Sequence, residues 1–231
     1  MQLFFKNPRL SEGFFLSKGE ELKIKNLSEL ELLALLSAAS VLRKEKYFDT
    51  ILNKLISVNY PLSKVYEAIL QTYLFAGFPS ALVSLKKLQE TTGNRLKYEE
   101  YDLKKFLKRG KANCKKIYGS KYNKLISNVK SFSPDLAAWL IIEGYGKVLG
   151  RKVLSLKERE ICIISILSAL KFKDQLYSHI NGAVRLKLNL SFIEKTIKNL
   201  SIITASASKF GLQVFEQYRL LKNLKSTEIV L

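Results

Sequence analysis

From about residue 26 onward, apolar positions recur at helical spacing and polar punctuation cuts them into blocks. Ser155 followed by Glu158 predicts a capped helix start, after which Glu160, Ile163, Ile164 and Leu167 share one face. Beyond a short polar turn, Phe172, Leu176, His179, Ala183 and Leu186 form a second stripe. Glu160 and His179 are thus polar residues on inward faces otherwise made of Ile, Leu, Phe and Ala. At about 1.5 Å per residue, a strictly antiparallel hairpin leaves them staggered by about 7 Å. They meet only if the helices cross or if water or a substrate bridges them, and the stripes fit a buried pair that satisfies itself in the core as well as a functional pair.

Upstream, Asn26 and Glu29 give a capping-type start for an apolar run over 30–42. The helical pattern resumes over 47–57 and stops at Asn59-Tyr60-Pro61. It continues over 62–89 with a break at Gly77-Phe78-Pro79. Ser133-Pro134 marks a further start, with serine as cap and proline in the first turn, and glycines 144, 146 and 150 loosen its end. A last long helical stretch is predicted over 192–222. The order of signals returns after about 129 to 130 residues, which sets Glu31 opposite Glu160 and Asp49 or Thr50 opposite His179. The pattern therefore predicts an all-α protein built on a duplicated helical domain. Its parts are an N-terminal arm (1–25), a first, diverged repeat (26–95), a basic connecting segment (96–132) and a second repeat (133–231) that carries the site.

Charge changes the picture in one place. The chain of 231 residues has a net charge of +19, and residues 97–130 hold 11 basic against 3 acidic side chains. Such a segment attracts polyanions, although no zinc-finger, RNA-recognition or helix-turn-helix signature accompanies it, so a nucleic-acid partner is not favoured. Cys114 and Cys162 lie too far apart for metal or redox spacing. Cys162 is expected to be buried and Cys114 exposed among lysines. Free thiols, an N-terminus without an apolar leader and no apolar run near the roughly 20 residues of a membrane span predict a cytoplasmic protein without a membrane partner. The one histidine and the scattered carboxylates fall short of a metal site, and no nucleotide or flavin motif is present; no cofactor is expected.

Several segments in order carry a resemblance: Lys116-Ile117-Tyr118-Gly119, Asp135 to Trp139, Glu143-Gly144-Tyr145-Gly146, Leu156 to Glu160, and His179-Ile180-Asn181-Gly182-Ala183. With Ala76-Gly77-Phe78-Pro79 of the first repeat, they make the chain similar to the carboxymuconolactone decarboxylase family, whose members include alkylhydroperoxidase-type proteins. The similarity is to the tandem-domain branch. It implies an alkylhydroperoxidase-like helical fold, frequent homo-oligomers, and Glu160 with His179 as catalytic residues. The peroxidase branch needs a Cys-x-x-Cys pair where this chain has Phe172 and Gln175, which argues against thiol peroxidase activity. The resemblance thus implies a cofactor-free lyase-type enzyme in which His179 is a general acid or base oriented by Glu160. Its substrate would be a small organic acid or lactone. Arg159 and Arg185 are candidates for a substrate carboxylate by proximity, although charged side chains usually face solvent; Tyr145 is a candidate for lining the pocket. The rival reading is a non-catalytic helical oligomer that binds a polyanion or protein partner through its basic surface.

Overall fold

The computed structural model describes residues 16–93 and 99–227, with side chains to residue 223, and among these residues the fold is all-α. Two helices buried on nearly every side form its axis: α2 (Glu29–Val41) and α9 (Leu156–Leu170), which pack against each other. The preceding α1 (Lys18–Lys25) begins with a capping box between Ser17 and Glu20, so part of the expected arm is helical. Residues 1–15 of that arm lie outside the described residues. Around α2 are α3 (Glu45–Ser57), α4 (Leu62–Leu70) and α5 (Tyr73–Thr92), the last kinked at Gly77 (φ 75°) just before Pro79.

The basic segment is more regular than its pattern suggests. It contains α6 (Leu103–Tyr118), a 3₁₀ turn, and α7 (Tyr122–Phe132), which doubles back onto α8 (Pro134–Trp139). Ser133 caps α8 as expected, but its continuation Leu140–Val148 is π-helical rather than loosened. The glycines there serve close packing: a Cβ on Gly146 would collide with the Phe106 carbonyl, and one on Gly110 with the Ile141 carbonyl. Bare backbones thus let α6 and the π-helical segment approach closely.

The second half surrounds α9 with α10 (Lys173–Arg185), α11 (Leu190–Asn199) and α12 (Ala205–Thr227). The single stretch expected over 192–222 is divided by a 3₁₀ turn at Leu200–Ile202. Both halves use left-handed turn residues at matching places: Arg43 (φ 54°) and Lys171 (φ 61°) after α2 and α9, Asn59 (φ 55°) and Lys187 (φ 65°) after α3 and α10. Among the described residues no helix is long and apolar enough to cross a membrane.

Candidate functional site

At the start of α9, the Ser155 N–H donates to Glu158 Oε2 (2.8 Å) and the Glu158 N–H to Ser155 Oγ (3.3 Å). Glu158 is held at the cap, where Lys64 Nζ also reaches it at 2.6 Å. Two residues on, Glu160 points into the core and is 1% exposed. From α10, His179 (7% exposed) places Nδ1 2.9 Å from Glu160 Oε2. The two meet directly, so α9 and α10 do not keep the strict antiparallel stagger. Gly182, one turn beyond His179, makes room for this: a Cβ there would stand 2.7 Å from Ile117 Cγ2 and 3.4 Å from Glu160 Oε2.

With Nδ1 committed to Glu160, Nε2 is left without a protein partner among the described residues. His179 lines a cavity of about 350 Å³ together with Phe75, Phe132, Trp139, Leu140 and Tyr145. The Phe75 ring stands edge-on to the imidazole with centroids 6.4 Å apart. The lining is apolar apart from His179, Glu143 and the Tyr145 side chain. Glu143 is tied by Lys147 Nζ at 2.6 Å and by the hydroxyls of Tyr73 and Tyr101, each at 3.3 Å.

Tyr145 lies on the π-helical segment, a geometry that often marks functional positions. Its hydroxyl donates to Tyr118 Oη at 3.0 Å. Burial pushes both phenols well above their ordinary pKa, helped for each by the nearby Glu160 charge, so both stay protonated donors. Local pattern marks none of Tyr118, Phe75 and Trp139 as a site residue, because each is an ordinary aromatic position on a separate element.

The two candidate arginines are not at the cavity. Arg185 is exposed and packs beside Gly119. Arg159 does not face solvent, contrary to expectation: it is 1% exposed, with Nη2 2.8 Å from Glu67 Oε2 and 3.0 Å from the Arg151 carbonyl. Glu67 also takes Arg151 Nε at 2.6 Å, and Arg151 continues to Glu99. This chain of charges joins α4 to the start of α9. Cys114 is a second correction, being fully buried rather than exposed; burial raises the thiols of Cys114 and Cys162 to about 12.

The first half has no matching pair. Ser28 caps α2, with its N–H and Oγ donating to Glu31 Oε2 at 3.0 and 2.6 Å, so Glu31 corresponds to the cap residue Glu158 and not to Glu160. Leu33, five residues after Ser28 as Glu160 is after Ser155, and Ile51, eight residues after Arg43 as His179 is after Lys171, are both fully buried and apolar. A separate concavity of about 310 Å³ in this half brings Ser40 Oγ within 2.7 Å of Ser84 Oγ, but its lining holds no imidazole to act as a base. Among the described residues no three His, Cys, Asp or Glu side chains gather as a metal site.

No family model matches the chain. It is similar to Peroxisomal protein 2 of Saccharomyces cerevisiae, 24% identical over 171 residues, and to Peroxisomal protein 2 of Schizosaccharomyces pombe, 30% identical over 131 residues. The matches cover 61% and 54% of this chain respectively, and the chain spans 60% of the length of each relative.

Proposed function

We propose that this chain is a cofactor-free enzyme of the carboxymuconolactone decarboxylase type, working by acid–base chemistry at His179 on a duplicated helical domain. The observation that carries the reading is the 2.9 Å contact from Glu160 to His179 Nδ1 at the wall of an apolar cavity. A carboxylate on Nδ1 fixes the ring and favours the tautomer whose Nε2 carries a lone pair. Facing the cavity, Nε2 removes a proton from a carbon next to a carbonyl and later returns it. A positioned base of this kind contributes about 10²–10⁴-fold. Of the two implied substrate classes, a small lactone suits the cavity better than a free organic acid, because its lining contains no lysine or arginine.

The mouth of the cavity supports a homo-oligomer. Phe132, Leu136 and Trp139 line the cavity yet are 72%, 50% and 57% exposed, and a second copy covering them would close it. The shared name of the two relatives supports a peroxisomal rather than a cytoplasmic setting, which co-localisation of the tagged chain with a peroxisomal marker tests.

The chemistry is tested by incubating small unsaturated lactones with the protein in deuterated water and following exchange and ring opening by NMR. Exchange next to the carbonyl should fall about 10²–10⁴-fold in His179→Gln and survive Cys114→Ser with Cys162→Ser. Turnover that is indifferent to His179, or no exchange across the panel, contradicts the proposal.

A further inference from the structure

The outward face of α6 carries charge that the His179 site does not use. Lys104, Lys108, Ala112 and Lys116 follow one another at four-residue intervals, which lines them along one side of the helix over about 18 Å. They border an open trough of about 720 Å³ whose lining also includes Asn113, Gly150 and Lys152. Lys105 and Arg109 line it as well, but Glu99 engages them at 2.9 and 2.7 Å. Arg109 is further committed to the backbone carbonyls of Gly146 and Lys147. Asp102 is the one carboxylate in the lining, and it caps α6 by accepting from the Lys105 N–H at 2.9 Å. Lys104, Lys108, Lys116 and Lys152 are exposed and form no ion pair among the described residues.

Ammonium groups facing one concavity raise its potential and draw an anion with several charges. A single carboxylate supplies too few, whereas linked phosphates carry several charges on which the long, flexible lysine side chains of the trough can converge. We propose that this trough binds the di- or triphosphate group of a small molecule. Its volume falls in the range of about 300–1,000 Å³ typical of small-ligand sites. No aromatic side chain lines it, so it lacks the stacking platform with which proteins hold single-stranded nucleic acid. The proposal does not depend on the reaction assigned to His179.

Calorimetric titration at about 0.15 M salt, where diffuse surface attraction is screened, tests this with inorganic tripolyphosphate and with ATP. Saturable one-to-one binding is expected for tripolyphosphate. Tighter binding of ATP would identify a nucleotide as the source of the phosphates, and equal binding would assign recognition to the phosphates alone. The double variant Lys108→Glu with Lys152→Glu should weaken binding by at least about tenfold, the loss expected when charge-assisted contacts are reversed. Lys124→Glu with Lys130→Glu, the same change of net charge on α7, should leave affinity within about twofold, because neither lysine lines the trough and salt screens exposed charges that do not touch the ligand. Equal weakening in both double variants, absence of saturable binding, or a short single-stranded oligonucleotide that binds more tightly than ATP would each overturn the proposal.

Discussion

Arg159 Nη2 lies 2.8 Å from Glu67 Oε2 across the boundary between α9 and α4, and each side chain is 1% exposed. Water cannot screen or replace either partner, so the loss of one strands the other. Glu67→Leu should therefore lower the stability to urea by about 3–5 kcal/mol. Arg159 Nε and Gln71 Nε2 have no hydrogen-bond partner, so the ionic cluster is incompletely satisfied. Glu67→Leu combined with Arg159→Met should accordingly recover much of the loss, while Arg151 keeps Glu99. A single variant as stable as the parent would show that solvent reaches this pair.

Gly182 sets the distance between α10, α6 and the Glu160 carboxylate. Gly182→Ala places a methyl against Ile117 Cγ2 and should cost about 1–3 kcal/mol of overpacking while displacing the Glu160–His179 contact. Gly19→Ala is the control, because nothing lies within 4 Å of a Cβ there. It should be neutral or stabilise α1 by about 0.5–1 kcal/mol, since alanine is the better helix residue. Thermal melts of the two variants check both directions.

The thiols should be silent in the native protein. Burial raises Cys114 and Cys162 to about 12, so at pH 8 almost no thiolate is present to attack a disulfide reagent. Ellman titration should find neither thiol reactive until denaturant is added, and both reactive afterwards. Rapid labelling of the folded chain would contradict their burial and reopen a redox role.

The local chemistry of single elements was legible in the sequence: the Ser155–Glu158 cap, the break at Gly77, the Ser133-Pro134 start and the inward aim of Glu160 and His179 all came from short-range patterns. What the sequence concealed was long-range or ambiguous. Asn26–Glu29 and Ser28–Glu31 both satisfy the capping pattern, and only the folded backbone shows that α2 uses the second. Arg159 reads as a surface charge because its partner Glu67 lies 92 residues earlier in the chain. The π-helical segment that carries Tyr145 packs Gly146 against the Phe106 backbone, a long-range contact that no local periodicity reports.

The proposed chemistry requires Glu160 to hold the proton of His179 on Nδ1 and leave Nε2 bare toward the cavity. His179 is the chain's one histidine, so uniformly ¹⁵N-labelled protein gives a single imidazole in long-range ¹H–¹⁵N correlation spectra. With the ring neutral, these spectra should show a pyrrole-type Nδ1 and a pyridine-type Nε2, and a shift away from that tautomer in Glu160→Leu. A neutral ring protonated on Nε2 in the parent protein would contradict it, because the nitrogen assigned as the base would then carry the proton.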